Sequence, residues 1–83
     1  MRILTVDDSR AIRNIVSRQA QEMGLEVDEA EHGEEGLGRL EECTYDLVVL
    51  DVTMPVLDGP GMLKKMREIG NQTPVLMLTS ESK

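Results

Sequence analysis

An α/β fold built on a parallel sheet is the class this sequence predicts, and three observations predict it. Apolar runs alternate with helix-period stretches in the order βαβαβαβ, which implies right-handed crossovers and helices on both faces of one sheet. The run Leu47-Val48-Val49-Leu50 is uninterrupted, as a strand buried on both faces requires. Acidic residues stand where the apolar runs stop: Asp7 and Asp8 after the first, Asp51 after the third.

Each element has its own signal. Met1 to Val6 forms a first strand with Ile3-Leu4-Thr5-Val6 as its core, then turns abruptly acidic. Ser9 suits the N-cap of a helix whose apolar positions Ile12, Ile15, Val16, Ala20 and Met23 follow helical spacing, with Gln19 the one lapse and Gly24 the stop. Leu25 to Ala30 alternates apolar and acidic residues, the pattern of a short strand near a sheet edge. Gly33 to Glu42 is a second helix with Leu37 and Leu40 facing inward, weakened by Gly36 and Gly38 at about 1 kcal/mol each relative to Ala. After the central strand, Met54-Pro55 and Asp58-Gly59 are turn chemistry, and Pro60 opens a third helix. Met62, Leu63, Met66 and Ile69 form its inward stripe, Lys64, Lys65, Arg67 and Glu68 face water, and Gly70-Asn71 ends it. Pro74 to Leu78 is a fourth strand, followed by Thr79-Ser80. No linker, internal repeat or low-complexity segment intervenes.

Composition narrows the function classes. The 83 residues suffice for one small domain, in which Tyr45 is the sole aromatic and Met, Leu, Val and Ile fill the core. A net charge of −7 and the lack of any basic cluster beyond Lys64-Lys65 exclude phosphate-backbone binding as the main activity. Proteins with basic surfaces are the better partners. Cys43 is alone, which rules out a disulfide framework or CxxC metal site and fits the cytoplasm. No apolar run has the length of a membrane span, and Asp7-Asp8 interrupts anything resembling a signal sequence. His32, the one histidine, reads as a loop residue.

In a parallel sheet the strand C-termini share one edge, so topology gathers Asp7, Asp8, Asp51 and Thr79. Carboxylates about 4 Å apart at an effective dielectric near 20 repel by roughly 4 kcal/mol per pair, comparable to a large part of a small domain's stability. A cation must offset that, and Mg²⁺ suits a set of oxygen donors with no His or Cys. With a metal on one side and a hydroxyl on the other, Asp51 could attack phosphorus and form an aspartyl phosphate.

These residues resemble the receiver domain of two-component response regulators: VDDS after the first strand, LVVLDVTMPVLDG around Asp51 and TPVLMLTS at the fourth strand occur in that family's order and spacing. The resemblance implies a flavodoxin-like receiver fold with strand order two-one-three-four. It implies that Asp51 accepts a phosphoryl group from a phosphohistidine, that Asp7, Asp8, Asp51 and the backbone carbonyl of Thr53 hold Mg²⁺, that Thr79 is the switch hydroxyl, and that Ser80 lines the phosphoryl pocket. The partner implied is a sensor histidine kinase or phosphotransfer protein, and no enzyme activity is implied beyond self-phosphorylation and self-dephosphorylation at Asp51. Residues 1–83 are expected to form a single incomplete receiver domain, since the family's fifth strand with its lysine, the aromatic switch residue and the last two helices have no counterpart here. Val75 to Leu78 would then be an exposed edge through which the chain self-associates or takes up a complementing chain.

Three other readings compete. A haloacid-dehalogenase-type phosphatase needs a second acid two residues after the nucleophile, where this chain has Thr53. A nucleotide-binding half domain needs GxGxxG or GxxxxGK[ST], and neither occurs. A truncated or engineered receiver fragment, inactive alone, would keep the same fold core.

Overall fold

A computed structural model of the chain describes residues 1–52 and 59–78. Its elements are β1 (Arg2–Val6), α1 (Arg10–Glu22), β2 (Glu26–Ala30), α2 (Gly33–Glu42), β3 (Leu47–Asp51), α3 (Gly59–Glu68) and β4 (Val75–Leu78). The four strands are parallel, in the order β2-β1-β3-β4, as expected. Val6 stands opposite Ala30 on one side and Leu50 on the other, and Asp51 stands opposite Leu78.

Side-chain alternation assigns the two faces. Leu4, Val6, Val48 and Leu50 point into the larger core, where Met62 and Met66 of α3 and Leu40 of α2 cover them. Ile3 and Val49 point to the opposite face, where Ala20 and Val16 of α1 meet them. With Tyr45 the sole aromatic, flexible methionines fill the gaps. Tyr45 is buried beside them, and its hydroxyl donates to Asp28 Oδ2 at 2.6 Å. Burial first, and that anionic partner second, push the phenol far above its ordinary range.

Local chemistry sets the helix ends. Ser9 accepts from the Ile12 amide and caps α1, while Gly24 adopts φ 83° beyond its C-cap Met23. His32 caps α2: its Nδ1 accepts from the Glu35 amide, and Glu35 Oε1 accepts in turn from the Glu31 amide. Gly36, expected merely to weaken α2, sits where a side chain would meet Met62 Cε at 2.9 Å and Val6 Cγ2 at 3.0 Å, so it permits α2 to lie close to α3 and the sheet.

Three expectations are corrected. Ile15 and Met23 are 54% and 75% exposed, because α1 lies over β1 and β2 and presents the line Arg13, Ser17 and Ala20 to the sheet. Ile69 is 59% exposed because α3 ends at Glu68, where the Gly70 amide bonds Arg67 and the Asn71 amide bonds Met66. Pro60 is the second residue of α3, which begins at Gly59. Among the described residues no helix is long and apolar enough to cross a membrane.

Candidate functional site

The chain runs from β1 outward to β2 on one side, then to β3 and β4 on the other, so the strand order reverses between β1 and β3. At such a reversal the loops part and leave a crevice beyond the strand ends. Asp7 follows β1 and Asp51 closes β3, and the Val6–Leu50 register puts them side by side at that crevice. Alternation along Thr5-Val6-Asp7 and Val49-Leu50-Asp51 directs both toward the face that α1 covers.

Asp7 and Asp51 are buried, at 4% and 3% exposure, while Asp8 faces solvent. Each of the three offers a carboxylate oxygen, and these oxygens all lie within 4.8 Å of one another. The repulsion at that distance is on the order of 3–4 kcal/mol per pair at an effective dielectric near 20. Burial raises the Asp7 carboxyl above its usual range, and the Asp8 charge adds to the rise; the Ser9 amide and Arg13 oppose it. Three hard oxygen donors, one of them on an exposed residue, form a set that fits Mg²⁺, whose octahedral shell would have further positions for water or phosphate oxygens.

The backbone around the trio is anchored. The Asp7 amide donates to the Ala30 carbonyl at 3.1 Å, and the Ser9 amide donates to Asp7 Oδ1 at 2.8 Å. The Val52 amide donates to the Leu78 carbonyl at 2.9 Å, and the Gly59 amide to the Val52 carbonyl at 3.1 Å, which brings the start of α3 against the tip of β3. Thr53, Thr79 and Ser80 lie outside the described residues.

Arg13 was missed by the sequence reading. It is buried, and its Nη1 donates to the Asp7 carbonyl at 2.6 Å. On a helix wheel it falls just outside the apolar stripe, between Ala20 and Ser17, and reads as part of a solvated face; the available signal was the run Ser9, Arg13, Ser17 at four-residue spacing, one polar line along α1.

Residues 3–83 match the family described as response regulator receiver domain. The chain is 38% identical over 82 residues to the transcriptional regulatory protein DltR of Streptococcus agalactiae, covering 99% of this chain and 37% of that protein. It therefore spans little more than a third of that relative. Among solved structures it is similar to the chemotaxis protein CheY4 of Vibrio cholerae, with a TM-score of 0.91 and 39% identity over 99% of this chain and 70% of that one. It is also similar to the response regulator TrrA of Thermotoga maritima in complex with Mg²⁺-BeF, with a TM-score of 0.90 and 40% identity over 98% of this chain and 70% of that one.

Proposed function

The chain belongs to the response regulator receiver domain family, and we propose that Asp51 is its phosphoacceptor, with Asp7, Asp8 and the Thr53 carbonyl completing an Mg²⁺ site. Receiver domains of two-component systems accept a phosphoryl group on an aspartate, bind Mg²⁺ at an acidic pocket, and interact with histidine kinases or phosphotransfer proteins. One observation carries the assignment: Asp51 ends the central strand β3 with its carboxylate in the same oxygen cluster as Asp7 and Asp8.

In the proposed reaction an Asp51 carboxylate oxygen bonds to phosphorus as the P–N bond of a phosphohistidine breaks, and the imidazole nitrogen leaves with the bonding electron pair. Bound Mg²⁺ would offset the carboxylate charge and polarise the phosphoryl oxygens. Asp51 is buried while Asp8 faces solvent, so a phosphoryl donor would approach from the Asp8 side of the trio. Thr79 as switch hydroxyl and Ser80 as pocket lining rest on the TPVLMLTS match. The bound Mg²⁺-BeF of TrrA supports the same chemistry here.

A kinase or phosphotransfer protein in the cytoplasm is the proposed donor. Self-association is the proposed use of the β4 edge, because β4 pairs with β3 alone among the described strands and Leu76 is 51% exposed. Phosphoacceptor identity is tested by intact-mass measurement after incubation with Mg²⁺ and phosphoramidate, which carries the P–N bond of phosphohistidine. One phosphoryl increment is expected on the native chain and none on Asp51→Asn; an increment surviving that substitution would place the acceptor elsewhere.

A further inference from the structure

A guanidinium is costly to bury, yet α1 directs one beneath the acidic crevice. Arg13 is 6% exposed and spends its donors on three acceptors: the Asp7 carbonyl from Nη1 at 2.6 Å, Glu29 Oε1 from Nε at 3.1 Å, and Glu31 Oε2, paired with Nη2 at 3.8 Å. The other Glu29 oxygen accepts from Ser17 Oγ at 2.9 Å, and Ser17 is itself buried one turn along α1. Glu29 is thus gripped by two side chains of one helix while Arg13 reaches past it to the backbone of the neighbouring strand. Packing alone would be served by an apolar residue at position 13, so the polar bonds need another reason.

Their effect falls on Asp7. Its amide is tied to Ala30, its Oδ1 to the Ser9 amide and its carbonyl to Arg13, so both peptide groups flanking its Cα are held. Carboxylate placement to within a fraction of an ångström matters for Mg²⁺, which demands near-ideal octahedral geometry. We propose that Arg13, braced by Glu29 and Ser17, is a positioning residue that fixes the Asp7 backbone and so sets the spacing of the Asp7 and Asp51 carboxylates for Mg²⁺. The inference rests on the acidic trio being the metal site.

A positive charge near a cation site opposes metal binding if it acts through charge alone, so the two roles have opposite signs. Mg²⁺ titration calorimetry on the native chain, Arg13→Gln, Arg13→Lys and Ser17→Ala separates them, with Asp8→Asn as the control for the site itself. Positioning predicts roughly tenfold or greater weakening in Arg13→Gln, the size seen when groups supporting metal ligands are removed. Partial rescue is expected in Arg13→Lys, which keeps the charge but has one donor nitrogen in place of three, and a smaller loss in Ser17→Ala. A merely structural Arg13 would lower the metal-free melting temperature and leave the Mg²⁺ affinity unchanged, which overturns the proposal, as does tighter binding in Arg13→Gln. Should Arg13→Gln not fold, an unchanged affinity in Ser17→Ala overturns it equally. If Asp8→Asn leaves the affinity intact, or the native chain binds no Mg²⁺, the metal-site reading itself has failed.

Discussion

Gly59 is seated directly against Asp51: a Cβ at Gly59 would overlap the Asp51 carbonyl oxygen and lie 3.0 Å from the Cα of Val52. Both obstacles are backbone, so a side chain there can be accepted only by moving the start of α3 or the tip of β3. Gly59→Ala is expected to cost about 1–3 kcal/mol, the range for overpacking. Each kcal/mol lowers the melting temperature of a domain this small by roughly 4–8 °C. Mg²⁺ affinity should fall with it, since Asp51 shifts. Thermal melting and Mg²⁺ titration check both effects, and a variant matching the native chain in each would show that α3 is not seated on the acceptor.

The two glycines inside α2 should respond in opposite directions. Gly38 has open space around its Cβ position, so Gly38→Ala gains up to about 1 kcal/mol of helix propensity. Gly36→Ala would press on Met62 and Val6. The methionine end can yield but the valine methyl, fixed on β1, cannot, so a net loss on the order of 1 kcal/mol is expected. Denaturant unfolding of both variants measures the contrast; two stabilised variants would mean that α2 packs more loosely than described.

The contrast marks the limit of what could be read from the chain alone. The succession of strands and helices, the bounds of α2, the Ser9 cap and the Gly24 and Gly70 stops, with φ of 83° and 85°, follow from local patterns, whereas the strand order followed only from the family resemblance. The acidic crevice was legible because parallel topology converts strand ends into neighbours. Gly36 was read as a cost because periodicity carries no information on how close a second helix comes. Ile15 and Ile69 were assigned inward because apolar spacing cannot show which flank of a helix has a neighbour. Arg13, the Tyr45–Asp28 bond and the His32 cap escaped for a related reason: each depends on a polar side chain meeting a partner that only the fold supplies.

Stability without metal should depend on the Asp7 charge. Burial raises its carboxyl in the folded chain above the unfolded value, so the folded state holds its proton at a higher pH than the unfolded state does. The charge therefore costs stability at neutral pH, and the cost is relieved as pH falls through the folded value toward the unfolded one. Asp7→Asn, whose Oδ1 can still accept from the Ser9 amide, should melt higher than the native chain at neutral pH without Mg²⁺, bind Mg²⁺ more weakly, and lose this part of the pH dependence. Lower metal-free stability at neutral pH would refute the crowding of charge at the crevice.

Association through β4 should depend on concentration and on Leu76. Light scattering of the native chain is expected to show a mass rising with concentration, and Leu76→Lys, a charge on the edge strand, should suppress the rise while leaving Mg²⁺ affinity unchanged. A native chain that stays monomeric throughout the concentration range would remove the basis for that interface.

The most direct test of Asp51 as phosphoacceptor in a Mg²⁺ pocket is melting with Mg²⁺ and beryllofluoride, the combination bound by TrrA. At about 100 times the dissociation constant the native chain should gain roughly 2.7 kcal/mol, a shift on the order of 10 °C, and Asp51→Asn should show none. No shift in the native chain, or an equal shift in Asp51→Asn, would contradict the assignment.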